Sequence, residues 1–199
     1  MEKIISQKRS PENELNFYAK DRDAWRKWHE KNNNKESNVW LILYRKASEI
    51  KSVNYAEAVE EALCFGWIDS LKKKRDDDSS YQMFGKRKPK SSWSKLNKTR
   101  VKELIKQDKM TPAGMEMITL AKKTGTWTAL DSVDKLIIPD DLQKEFNKNK
   151  KSFENFTAFS PSSKKIILAW ILSAKKPETR VKRIAETVDL ARKNIKAHQ

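Results

Sequence analysis

Apolar positions along this chain change their period near residue 135, and the change divides it into two kinds of structure. "DRDAWRKWHEKN" reads as a helix capped by Asp21, with Trp25 and Trp28 on one face at i, i+3. "NVWLILYRK" is apolar on both faces, which predicts a strand inside a sheet rather than at its edge. "NYAEAVEEALCFG" carries its own boundaries: Asn54 and Glu57 make a capping box, and Gly66 ends the helix in left-handed geometry. Tyr55, Ala58, Val59, Ala62 and Leu63 make its inner stripe. "WIDSLKKKRDDDSSYQMFGKRK" has two extended runs around a polar tip, a hairpin pattern. "SSWSKLNKTRVKELIKQDKM" turns helical with Ser91 or Ser92 as cap, and Trp93, Leu96, Arg100/Val101, Leu104 and Ile105 form its apolar stripe. "TPAGMEMITLAKKTGTW" begins at Thr111-Pro112 and closes at Gly125.

Residues 1–14 read as a mobile arm and 128–138 as a connector. Beyond Pro139 every pattern is helical, with Ser160-Pro161 and Pro177 marking two starts. Val181, Ile184, Ala185, Val188, Ala191 and Ile195 give the last helix its period. The predicted fold is α+β: a small antiparallel sheet of about three strands packed by helices, followed by an all-helical C-terminal unit. The domain boundary is placed at 135/136.

Composition narrows the class. A chain of 199 residues can bury a core without disulfides or metals. No apolar run approaches the roughly 18 residues that cross a bilayer, and the N-terminus does not read as a signal peptide. Cys64 is the sole cysteine, which fits a reducing cytoplasm. The net charge of +16 is unevenly placed: residues 86–109 hold 10 Lys/Arg against 2 Asp/Glu, whereas residues 1–85 hold 16 against 15. Such an excess attracts anionic partners: a small anion, an acidic protein or nucleic acid.

Catalytic and metal motifs are weak. The two histidines, His29 and His198, lack Cys or His neighbours, and His29 reads as an ordinary surface or boundary residue. Cys64, at the C-terminal end of an apolar helix, reads as a small hydrophobe. Asp76, Asp77 and Asp78 lack the spacing of a Ca²⁺ loop and read as a solvated hairpin tip. No metal set, cofactor motif or catalytic group is assigned. The basic stretch carries more. Lys95, Lys98, Lys102 and Lys106 recur at spacings of 3, 4 and 4, so their ammonium groups share one helix face and form a candidate polyanion surface. Lys86, Arg87, Lys88 and Lys90 approach the same helix's N-terminus, where free amides suit an anion. Asp69, after the tight Gly66-Trp67 exit, is a candidate partner for that loop or an acid-base group.

"EAVEEALCFGWIDS", "RKPKSSWSKLNKTRV", "KMTPAG", "AKKTGTW" and "FSPSSKKIILAWILSAKKPETRVKRI" together resemble the YdeI/OmdA bacteriocin-protection family over roughly residues 15–195. The resemblance implies a YdeI-like first domain, an OmpD-associated helical second one, and a cytoplasmic bacterial role in protection against bacteriocins or cationic peptides and in stress. Its motif positions fall on Trp67, Asp69, Tyr81, Arg87, Lys88, Lys90, Ser91, Ser94 and Asn97, the candidate ligand-binding set, and on Gly66, Ile68 and Trp93. In the C-terminal region they fall on Trp170, Ala174, Lys175, Glu178, Thr179 and Arg180. Where the family reads Phe-Thr-Pro-Arg this chain has Phe84-Gly85-Lys86-Arg87, and loss of the proline loosens the loop around Arg87.

A +16 surface repels cationic peptides, so direct sequestration of them conflicts with the charge. The reading that remains is a non-enzymatic protection protein that binds an anionic ligand or acidic partner through the 86–91 loop and the lysine face. Nucleic-acid binding is one alternative. An enzyme acting on a phosphorylated or carboxylated ligand, with Asp69, Tyr81, Arg87 and Lys90 around a pocket, is the other.

Overall fold

The computed structural model describes Pro11 and residues 14–198, and the predicted N-terminal arm lies almost wholly outside the described residues. The chain forms two compact units, one ending at Trp127 and the other beginning at Thr128.

The first unit runs β1 (Asn16–Tyr18), α1 (Arg22–Asn32), β2 (Asn38–Tyr44), α2 (Tyr55–Cys64), β3 (Trp67–Lys74), β4 (Ser79–Lys86), α3 (Lys95–Lys106) and α4 (Pro112–Lys123). The sheet order is β1-β2-β4-β3. β2 is internal, as its two-sided apolar run requires, and β3 and β4 form the expected hairpin. The additional strand is β1, three residues long and parallel to β2. Its short run has no readable period, and pairing alone defines it.

Register sorts the two faces. Val39 pairs with Phe84, Leu41 with Gln82 and Leu43 with Ser80, so these residues share the face that α1 and α2 cover. Trp25, Trp28, Trp67 and Phe84 are buried there with Val39, Leu41 and Leu63. The other face carries Trp40, Ile42, Tyr81 and Met83. Between Asp69 and Lys72 the β3 register shifts by a bulge.

Local signals set most helix starts. Asp21 accepts from the Ala24 amide at 2.8 Å, and Asn54 and Glu57 close a full capping box. The end of α2 is a steric joint. The Cys64 carbonyl accepts from both the backbone N–H and the hydroxyl of Thr111, which caps α4. Gly114 lies so close that a Cβ there would sit 2.2 Å from the Cys64 carbonyl oxygen. Gly66 leaves α2 at φ +76°, the left-handed turn its position predicts.

Several expectations change. α3 is capped by Ser94 rather than Ser91 or Ser92, so Trp93 precedes the helix. Trp93 is buried instead against Trp127, with ring centroids 5.0 Å apart. Within α3 only Val101 and Leu104 are buried, while Leu96 and Ile105 are exposed. Tyr55 is exposed rather than part of the inner stripe of α2. His29 is fully buried, not at a surface or boundary. It is enclosed by Trp25, Trp28, Phe65 and Trp67, and neither ring nitrogen has a partner among the described residues. Burial, with the Arg26 charge as a smaller cause, pulls its pKa down to about 3, which keeps it neutral. Cys64 is buried as expected, and burial raises its thiol to about 11.

The second unit is helical: α5 (Asp131–Asp134), α6 (Asp140–Asn147), α7 (Lys150–Ala158), α8 (Pro161–Leu172) and α9 (Pro177–Arg192). The short α5 occupies part of the segment read as a connector. Leu142, Phe146, Phe156, Ile167, Leu168 and Ile171 are its core. Ser152 and Asn155 of α7 donate to the carbonyls of Val188 and Ala191, tying α7 to α9. Val181 continues the apolar period of α9 but is exposed, and Ile195, read as part of that helix, lies beyond its end at Arg192 and is also exposed.

Candidate functional site

The loop from Lys86 to Ser94 is built around Arg87. Its backbone N–H donates to the Gly66 carbonyl at 2.9 Å, which extends the hairpin past the last β4 residue. The guanidinium carbon stands 3.7 Å from the centre of the Trp93 ring, and Nη2 donates to the Ser92 carbonyl. Arg87 is 5% exposed, and Nε and Nη1 are buried with no partner among the described residues. Burial lowers its pKa to about 10, and the charge of nearby Asp69 partly opposes that shift. The group remains a cation at neutral pH. The missing proline has therefore not freed Arg87: stacking on Trp93 and the bond to Gly66 hold it.

Asp69 faces the same way as Phe84 and accepts from the Tyr55 hydroxyl at 2.6 Å. Burial, then the Asp69 contact, raises that phenol to about 12. The bond links α2 to β3 and leaves a negative charge near the buried arginine of the 86–94 loop. Asp69 and Arg87 are thus brought near each other. Tyr81 is not brought to them. It sits three residues before Phe84, hence on the opposite face of the sheet, with its ring edge against Trp40 at 6.2 Å. Trp67 is fully buried and donates to the Asn33 side chain at 2.5 Å.

The remaining positions divide into caps and surface cations. Ser94 accepts from the Asn97 amide, Asn97 accepts from Arg100, and the Ser91 N–H closes a turn onto the Lys88 carbonyl. Lys88, Lys90, Lys95, Lys102 and Lys106 are exposed and Lys98 is half-buried. Lys106 pairs with Glu103 at 2.9 Å. Among the described residues Lys86, Lys88, Lys90, Lys95 and Lys102 form no ion pair. At 100° per residue Leu96 and Ile105, both exposed, fall on either side of the lysine face.

A second feature was invisible in the sequence. A cleft of about 1140 Å³ opens at the carboxyl ends of β1 and β2. Its wall is made of residues 20–23, 43–46 and 53–55, joined by Lys72, Ser80 and Gln82 from the hairpin. The available signal was indirect: the two best-written helix caps, Asp21 and Asn54, each follow one of two strands that turn out to be parallel neighbours. Among the described residues no cluster of potential metal ligands occurs, and no helix is long and apolar enough to cross a membrane.

Residues 17–117, just over half of the chain, match the family model described as a domain of unknown function (DUF8412). The chain belongs to that family. Residues 135–194 match a second model, OmdA, described as Bacteriocin-protection, YdeI or OmpD-Associated. The YdeI/OmdA resemblance is therefore a direct match over the C-terminal region, while the "CFGWIDS" and "RKPKSSWSK" motifs fall inside the DUF8412 domain. No curated protein and no solved structure matches the chain.

Proposed function

We propose that the protein is a non-enzymatic protection protein that engages an acidic protein partner through the 86–91 loop and the lysine face of α3. The C-terminal match to a bacteriocin-protection model supports a protection-type role. The carrying observation is local: five lysines without an ion pair among the described residues lie in the loop and on α3, on either side in sequence of the buried Arg87, which has no ion pair of its own. A caged cation beneath exposed ones raises the positive potential without adding solvated surface. Leu96 and Ile105 beside the lysines make the surface mixed rather than purely charged, which suits a protein whose acidic patch includes apolar side chains. Trp93 is covered by Arg87 and offers no platform for a nucleic-acid base.

The test is a titration with poly-L-glutamate and with short single- and double-stranded DNA and RNA, at low and high salt. Wild type is compared with the Lys95→Ala/Lys98→Ala/Lys102→Ala/Lys106→Ala variant. Poly-L-glutamate is expected to bind with a steep salt dependence and to lose most of its affinity in the variant. Equal binding by the variant would remove lysine-face recognition. Tighter binding of nucleic acid, lost in the variant, would replace the acidic protein with a polynucleotide.

A further inference from the structure

We infer that the cleft at the carboxyl ends of β1 and β2 is a binding site for a small phosphate-bearing molecule, separate from the lysine face of α3. Four observations converge on it. The first is position. β1 leads into α1 and β2 into α2, and β1 and β2 are parallel neighbours, so both helices start at the same end of the sheet. Crevices at the carboxyl ends of parallel strands are where open sheets bind ligands, because helix starts and strand ends leave a gap that side chains do not fill. The Val53 N–H donates to the Ala19 carbonyl at 3.0 Å and ties the approach to α2 to the exit of β1.

The second is charge. Lys20, Lys46, Lys51 and Lys72 line the cleft, and none forms an ion pair among the described residues. Two of the three lining carboxylates are already engaged: Asp21 caps α1, and Glu57 closes the capping box of α2. The cleft therefore has unpaired ammonium groups and one uncommitted carboxylate, Asp23. The four ammonium groups outnumber the three carboxylates, whose capping bonds leave their charge in place, so the lining favours an anion, and a phosphate offers several oxygens to those donors.

The third is the pair of helix starts. The first-turn amides of Arg22, Asp23, Tyr55 and Ala56 have no acceptor within their own helices. They add to the lysine field instead of defining a site by themselves.

The fourth is size and lining. A volume of about 1140 Å³ exceeds what a bare phosphate needs, and Leu43, Val53, Ile50 and the rings of Tyr44 and Tyr55 give the rest of the ligand an apolar wall. The ligand class is thus a phosphorylated organic molecule, with inorganic pyrophosphate as the minimal probe.

The experiment is calorimetric titration of the full chain with inorganic pyrophosphate and with inorganic phosphate, accompanied by amide NMR. Pyrophosphate is expected to bind at one site and to shift the amides of Arg22, Asp23, Tyr55 and Ala56. The Lys46→Ala/Lys51→Ala/Lys72→Ala variant is expected to lose about tenfold or more in affinity. The α3 quadruple lysine variant is expected to bind pyrophosphate as wild type does. All three lysines are exposed, and circular dichroism confirms folding of the variant. Two results overturn the inference: no shift in those first turns, or unchanged affinity in the cleft variant. Loss of pyrophosphate in the α3 variant alone would place the small anion on the lysine face instead. Because the two variants do not overlap, failure at the cleft leaves the acidic-partner reading standing, and the reverse holds.

Discussion

The two units bury polar groups of different kinds. In the first, Glu61, His29 and Arg87 are buried ionisable groups. Glu61 accepts from Arg22 at 2.6 Å and from Arg26 at 2.8 Å, and Arg26 also reaches the Lys109 carbonyl, so one carboxylate joins α1, α2 and the α3–α4 turn. In the second, the buried polar residues among those described are Ser152, Ser163 and Thr187. Ser152 and Thr187 donate to backbone carbonyls and carry no charge. Burying a charge costs far more than burying a bonded hydroxyl. The first unit accepts that cost where it also carries both candidate binding surfaces, while the second relies on apolar packing with ion pairs at its rim. Its stability should therefore depend less on single joints and on pH.

The largest effect should come from the steric joint. Gly114→Ala places a methyl 2.2 Å from the Cys64 carbonyl oxygen, and backbone cannot retreat there without breaking the Thr111 bonds. We expect a loss of about 3 kcal/mol or more in urea denaturation. Gly125→Ala is the control: its methyl meets nothing within 4 Å, and only the φ of +75° is strained. That variant should lose about 1 kcal/mol. Equal losses would show that the joint relaxes around the new methyl and that close helix approach does not make Gly114 necessary.

The second effect appears only in acid. His29 has a folded pKa of about 3 against an ordinary value of 6.5, so the unfolded chain binds its proton first as pH falls. Above 6.5 neither state is protonated and the group adds no pH dependence. Between 6.5 and about 3 stability falls as pH falls. His29→Phe keeps an aromatic ring in the box and removes both unpartnered nitrogens. Between pH 7 and about pH 4.5 wild type should lose roughly 2 to 3 kcal/mol more than the variant. Parallel pH profiles for the two proteins would show that the protonated ring finds acceptors for its N–H groups and that burial does not hold it neutral.

What could be read in the sequence was local. Asp21, Asn54, Thr111 and Ser160 cap helices in the structure because a capping bond spans only three residues. The lysine period on α3 survives for the same reason. The cap of α3 was read as Ser91 or Ser92 and is Ser94, and the choice was made at long range: Trp93 lies outside the helix, packed on Trp127 and carrying Arg87. His29 looked ordinary because its box comes from α1, the exit of α2 and β3, segments that share no pattern. Tyr81 and Asp69 seemed to belong together until strand register put them on opposite faces. The cleft needs residues from 20 to 82 and a parallel pairing to a strand too short to recognise.

The smallest effect belongs to the second unit and tests whether its charges matter. Arg180 holds Asp141 through two bonds, Nε to Oδ2 at 2.6 Å and Nη2 to Oδ1 at 2.9 Å. Those bonds lower the Asp141 pKa, so its contribution is present above the ordinary carboxylate range and is lost as pH falls through the folded value. The carboxylate is 46% exposed, and solvent screening reduces the pair to a fraction of its geometric promise. Asp141→Asn should cost about 0.5 to 1 kcal/mol at neutral pH and nothing once the wild-type carboxyl is protonated. A double-mutant cycle with Arg180→Met measures the coupling directly. A coupling above about 2 kcal/mol would erase the contrast between the units, because the helical unit would then depend on a charge pair as the first depends on Glu61. A coupling near zero would sharpen it. The apolar contacts of Phe146, Phe156 and Ile171 would then hold α6, α7 and α8, with Arg180 only fixing the angle at which α9 begins.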